Sequence, residues 1–160
     1  MDLRFIYSLL LTILPVTELR VGLPLALTWA LDKNIPIIFV FSTVLLVNII
    51  IIFFIFYFLD NLHHVFMKFK LYRKPFEYYI SKFQKRVDKF EKKYEAGGFI
   101  ALMLFVAVPL PGTGAWSGCL VAWLLGLERR QSIIAIASGV IIAGILILLG
   151  SLGIISMFFS

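Results

Sequence analysis

Two short stretches hold the residues able to do chemistry. The first reads Pro15-Val16-Thr17-Glu18-Leu19-Arg20-Val21-Gly22-Leu23-Pro24, and the second Val108-Pro109-Leu110-Pro111-Gly112-Thr113-Gly114-Ala115-Trp116-Ser117-Gly118. Both interrupt long apolar runs in a chain that is 61% hydrophobic. An acid and a base at membrane depth cost a few kcal/mol each, so Glu18 and Arg20 require a reason to be there. In one reading they neutralise each other, which needs non-helical backbone, because residues two apart on a helix do not face each other. In the other, Arg20 holds an anion while Glu18 carries a proton or binds a coupling cation, H+ or Na+. Thr17 suits an N-cap, which puts Glu18 in a first helical turn where the dipole favours it.

The second stretch offers backbone donors. Proline and glycine break a helix, so Pro111-Gly112-Thr113-Gly114 ends one arm and begins another whose first N–H groups lack helical acceptors. Glycine lets a ligand approach the backbone closely, and half-helix N-termini at mid-bilayer suit anions. Arg20, Thr113 and the N–H groups following Pro111, Gly112 and Gly114 form a candidate phosphate site if the Thr17 and Thr113 ends converge. The competing reading is that the glycines only allow close packing. Trp116, away from the usual interfacial position of tryptophan, is a candidate cavity residue. Thr17 and Asn48 are candidate lining residues, with interhelical hydrogen bonding the ordinary role for an intramembrane Asn48.

The surrounding sequence must hold these breaks in place. Shifted by 96 residues, the two ends of the chain resemble each other: Pro15 meets Pro111, Thr17 meets Thr113, Gly22 meets Gly118 and Ala26 meets Ala122. Leu31-Asp32-Lys33 then meets Leu127-Glu128-Arg129, and a long apolar run follows in both copies. Each copy reads as two short arms and one long span. Arms of about 10–14 residues rise only ~15–20 Å, half of the ~30 Å hydrocarbon core, whereas residues 36–59 and 132–159 are long enough to cross. The arms therefore read as re-entrant hairpins, residues 1–35 and 97–131.

Charge distribution orients this arrangement. Ten of the fifteen Lys/Arg residues lie between Asp60 and Ala96, and Arg129 and Arg130 follow the second hairpin. Both regions fall on the cytoplasmic side by the positive-inside rule only if the second hairpin returns to the side it entered from. The expected fold is an all-α integral membrane protein. It has two repeats of inverted topology, each a re-entrant hairpin plus a transmembrane helix, with tips meeting near the midplane. A single membrane domain, 1–160, sits in the cell membrane with 60–96 facing the cytoplasm.

The basic segment 60–96 has its own pattern. A helix starting near Pro75 places Phe76, Ile80, Phe83, Val87, Phe90 and Tyr94 on one face and basic residues on the other, with Gly97-Gly98 ending it. This suits a helix lying on anionic headgroups; the same spacing is also a heptad, the mark of a short coiled coil. Nucleic acid is not an expected partner. Met1 to Leu14 resembles a signal peptide but is followed by Pro15 and Glu18, not a small-residue cleavage site. Cys119 reads as a small packing residue. No paired nucleophile and base, metal cluster or Walker lysine is evident, so neither an enzyme nor a resident metal or cofactor is expected.

The strings Glu18-Leu19-Arg20-x-Gly22-x-Pro24-Leu25 and Pro109-Leu110-Pro111-Gly112-Thr113-Gly114-Ala115-Trp116-x-Gly118 resemble the family called putative small multidrug export proteins. That family is similar to the DedA-type (VTT-domain) membrane proteins, which carry two inverted re-entrant hairpins and translocate polyprenyl phosphates or scramble phospholipids. DedA proteins place an acid directly after Pro-x-Pro-Gly in their first hairpin; here the motif is in the second, followed by Thr113. The resemblance implies movement of a phosphate-bearing lipid, with the phosphate held by Arg20 and the second break and with Glu18 as the coupling group. Export of hydrophobic cations using Glu18 as counter-charge is the alternative, and a non-transporting scaffold the third reading. At about 18 kDa, the protomer suits a homodimer among membrane lipids.

Overall fold

In the computed structural model, the described residues are 2–62, 74, 78, 98–110 and 112–159. The expected amphipathic helix from Pro75, its competing coiled coil and Pro111 lie outside them. Among the described residues the chain is all-helical, with six α-helices and no strand. They are α1 (Leu3–Ile13), α2 (Glu18–Asp32), α3 (Ile37–Tyr57), α4 (Gly98–Ala107), α5 (Ala115–Leu124) and α6 (Arg129–Phe159).

The pattern is pair, long helix, pair, long helix. Helices α1 and α4 contain 11 and 10 residues and are followed by the two breaks read from the sequence. Helix α3 continues through a π-turn, Phe58–Leu62, so the run persists a little beyond the expected end at residue 59. Helix α6 begins at Arg129, three residues before the expected start, because no Pro or Gly intervenes to stop it.

Among the described residues, two helical stretches are long and apolar enough to cross a membrane: Ile37–Asn61 and Arg129–Ile154. Their apolar side chains are largely uncovered by protein. Phe39, Leu46, Ile50, Phe53 and Phe54 of α3 all stand more than half exposed. Water would penalise such a surface and hydrocarbon does not. This is a membrane protein.

The interior forms two apolar clusters stacked along α3. Phe5, Leu23, Leu27, Trp29, Val40 and Val44 join α1 and α2 to the first half of α3. Ile52, Ile55, Val106, Cys119, Leu120 and Ile136 join α4, α5 and α6 to its second half. Ion pairs lie at the two far ends. Arg4 on α1 meets Asp32 at the end of α2 at 3.2 Å. Beyond the other end of α3, Arg129 meets Asp60 at 2.6 Å and lies 4.0 Å from the centre of the Phe56 ring. Between the clusters, Glu18, Asn48, Thr113 and Ser117 are buried.

Close approach within each pair depends on a glycine. A Cβ at Gly22 would lie 2.0 Å from Thr12 Oγ1 on α1, and one at Gly118 would lie 2.7 Å from Val106 Cγ2 on α4. These are the positions matched by the 96-residue shift. Both second helices end in the same hydrogen-bonded form. Asn34 N–H donates to Leu31 O and Ile35 N–H to Ala30 O; Gly126 N–H donates to Trp123 O and Leu127 N–H to Ala122 O. This is a Schellman end, with Asn34 (φ 53°) and Gly126 (φ 62°) in the left-handed conformation. The 96-residue register does not extend this far. Asn34 corresponds to Gly126, a shift of one helical turn, because α2 has 15 residues and α5 has 10. The matched tripeptides therefore occupy different places: Asp32 ends α2, whereas Glu128 precedes α6 and its carbonyl accepts from Ser132 N–H.

Candidate functional site at the meeting of the two breaks

The first break frees the carbonyls at the end of α1, and each finds a donor. Thr17 Oγ1 donates to Leu11 O, Asn48 Nδ2 to Thr12 O at 3.2 Å, and Trp116 Nε1 to Ile13 O at 2.9 Å. Glu18 N–H donates to Leu14 O at 3.0 Å. Two of these donors come from elsewhere in the fold, α3 and α5. Broken backbone in apolar surroundings persists only when its polar groups find partners, and these find them within the protein. Thr17 differs from the expected N-cap. It occupies that position, but its hydroxyl bonds backwards to α1 and makes no cap to α2.

The second break is closed by Thr113. Its hydroxyl lies 2.6 Å from Val108 O and 2.8 Å from Leu110 O, and having one proton it donates to one of them at a time. It also accepts from Arg20 Nη2 at 2.8 Å. Gly112, with φ 82°, supplies the left-handed turn that brings Thr113 back over these carbonyls.

Glu18 is 6% exposed, and its carboxylate crosses to α5, where Oε1 accepts from Trp116 N–H at 3.1 Å. The donor is the second N–H of α5, which has no acceptor within its own helix. Gly114 has no side chain at the point where the carboxylate lies; a Cβ there would be 1.8 Å from Oε2. The half-helix N-terminus expected to await an anion is thus already occupied by a carboxyl group of the chain itself. Among the described residues no ion pair joins Glu18 to Arg20. Each reaches a different part of the second break, as the two-residue spacing requires.

A cavity of about 10 Å³, the room needed by one water, lies beside this junction. Glu18, Arg20, Asn48 and Gly114 line it together with Val106, Ala115, Val140 and Ala143. Thr113 adjoins it through Arg20. Thr17, Gly112 and Trp116 lie outside the lining; Gly112 is exposed, and the Trp116 indole turns to α1. The sequence reading missed Val140 and Ala143, which carry no signal beyond belonging to an apolar helix. It also missed Ser8 and Thr12, buried on the face of α1 against α2, whose spacing of four among apolar residues was visible. Cys119 is fully buried against Ile52 O of α3, a packing position. Among the described residues no group of His, Cys, Asp and Glu could hold a metal ion.

No curated protein and no solved structure matches this chain. Residues 18–146, which begin at Glu18 just after the first break and contain the second, match the family described as "Putative small multi-drug export protein". That match spans most of the sequence, and the chain belongs to this family.

Proposed function

We propose that the protein is a membrane transporter for a phosphate-bearing lipid, a polyprenyl phosphate or a phospholipid, whose head passes the junction of the two breaks while its tail stays in hydrocarbon. One observation carries the reading. The α5 N-terminus, which holds the Glu18 carboxyl, and the Arg20 guanidinium, which is held by the Thr113 hydroxyl, meet at the junction of the two breaks beside one small cavity, and such donors are those of an anion site. Arg20 holds the phosphate in this scheme, and Glu18 yields its place on α5 when it takes up a proton. A cavity with room for one water is too small for a phosphate, so the site must widen to admit one. The resemblance to DedA-type proteins supports the lipid class. The acid that those proteins carry directly after Pro-x-Pro-Gly has a counterpart in Glu18, which brings a carboxylate to Gly114 from the other break.

The same reading takes the two helix pairs as re-entrant hairpins of inverted topology. Arg4–Asp32 closes the open end of the first pair, Asp60–Arg129 joins the far end of α3 to the start of α6, and the breaks meet beside Asn48, halfway along α3. It includes a homodimer in the cell membrane, with residues 60–96 on the cytoplasmic leaflet and a proton or Na+ as coupling ion.

A second reading, export of hydrophobic cations, is favoured by the family's description and by Glu18 as a buried acid lining the cavity. The two differ in the sign of the ligand. The test is binding of farnesyl phosphate to the purified protein beside Arg20→Ala, with tetraphenylphosphonium as the cation. Farnesyl phosphate binding that is lost in Arg20→Ala is expected. Binding of tetraphenylphosphonium alone, lost in Glu18→Gln and indifferent to Arg20, would establish the second reading.

A further inference from the structure

The tight glycines differ in what they face. Added Cβ atoms at Gly22, Gly118 and Gly139 would meet hydroxyl, carbonyl or aliphatic atoms of neighbouring helices, the usual sign of close packing. At Gly114 all three nearest atoms belong to the Glu18 carboxyl group: Oε2 at 1.8 Å, Cδ at 2.7 Å and Oε1 at 3.0 Å. The space left by the missing side chain is therefore filled by a carboxylate from the other helix pair. Glu18 reaches it from a backbone with φ 44°, a left-handed conformation that a non-glycine residue adopts at a cost of order 1 kcal/mol. Glycine would suit that backbone better, so the conformation is held by what the side chain does.

We propose that Gly114 is the positioning residue for the Glu18 carboxylate, and that their contact is the latch holding the two helix pairs closed over the central cavity. Three hydrogen bonds cross between the pairs here: Trp116 N–H to Glu18, Arg20 to Thr113, and the Trp116 indole to Ile13 O. The first depends on the absence of a side chain at residue 114, because a methyl group would occupy the site of Oε2. On the transport reading, and only there, the latch must open before anything larger than a water can enter.

The test is a double-mutant cycle on the full chain in detergent, read by thermal unfolding and by hydrogen exchange at the Trp116 amide. Glu18→Gly is the second background, chosen because glycine accepts the left-handed backbone at this position without strain. Gly114→Ala is expected to lower Tm when Glu18 is present and to change nothing further in Glu18→Gly. If Gly114→Ala alone does not fold, the proposal expects the double variant to fold as Glu18→Gly does. The Trp116 amide should exchange about tenfold faster or more in Glu18→Gly, the factor matching one lost charge-assisted hydrogen bond, while the Leu120 amide within α5 is unchanged. An equal loss of Tm from Gly114→Ala in both backgrounds, or an unaltered Trp116 amide in Glu18→Gly, overturns the proposal. No readout uses a substrate. A failure of phosphate binding leaves this cycle intact, and a failure of the cycle leaves phosphate binding to be measured on its own.

Discussion

Thr113 accepts from the Arg20 guanidinium and donates within its own break, so one hydroxyl joins the two halves of the site. Thr113→Val keeps the shape and removes the hydroxyl, leaving Arg20 and a loop carbonyl without a partner. It should cost about 1–3 kcal/mol of stability and weaken any anion affinity that depends on Arg20, whereas Thr113→Ser should retain most of both. Thermal unfolding and farnesyl phosphate titration of the three proteins check this. At the other end of the first pair, Asp2 accepts from Trp29 Nε1 at 3.1 Å and lies 3.9 Å from Lys33 Nζ. The indole hydrogen bond, with Arg4 and Lys33 nearby, holds its carboxyl below the ordinary 3.8. A depressed folded-state value means that its contribution is present above pH ~3.8 and fades as pH falls through the lower folded value. The Trp29 indole N–H resonance should therefore be constant from pH 7 to about 4 and shift only in stronger acid. The residue types at the site were legible, because an acid, a base and two hydroxyls stand out in apolar sequence. Their partners were not. That Glu18 would rest on Trp116 N–H is a contact between residues 98 apart, and nothing local encodes it.

Helix pairs pack through their glycines, and the surroundings of each glycine predict which one matters. Gly139 on α6 would bring a Cβ to 2.6 Å from Met103 O on α4, a backbone atom that cannot move aside. Gly22 would meet Ser8 O at 2.8 Å as well as the Thr12 hydroxyl, while Gly150 faces nothing within 4 Å. Gly139→Ala and Gly22→Ala should each destabilise by roughly 1–3 kcal/mol through overpacking. Gly150→Ala should be neutral or slightly stabilising, since alanine is the better helix former. Unfolding of the three variants in one detergent gives the comparison. Breaks at Pro15 and around Pro111, short arms and two long spans were readable because proline and glycine punctuate and apolar length is countable. The 96-residue register slips by one turn at the ends of α2 and α5. Asp32 and Glu128 look alike in sequence, but the left-handed residues Asn34 and Gly126 are what stop the helices. Pro24 was no guide to an end, since α2 continues past it.

Among the described residues, two apolar clusters sandwich a polar layer, with ion pairs Arg4–Asp32 and Asp60–Arg129 at the far ends. Such a layer is expensive in a membrane protein, and here the described breaks find partners within their own half, on α3 and in the other half. A scaffold needs only that satisfaction. A transporter also needs the partners to be exchangeable, and hydrogen bonds to a carboxylate, a guanidinium and a hydroxyl can be traded for those of an anionic head. The most direct test is movement of a farnesyl phosphate bearing a fluorescent tail in proteoliposomes, followed by its accessibility to an impermeant quencher. The account predicts that wild-type protein exposes the probe from both leaflets and that Arg20→Ala leaves half of it protected. Protection of the probe by wild-type protein as complete as in empty vesicles, together with Glu18-dependent efflux of tetraphenylphosphonium, would contradict it.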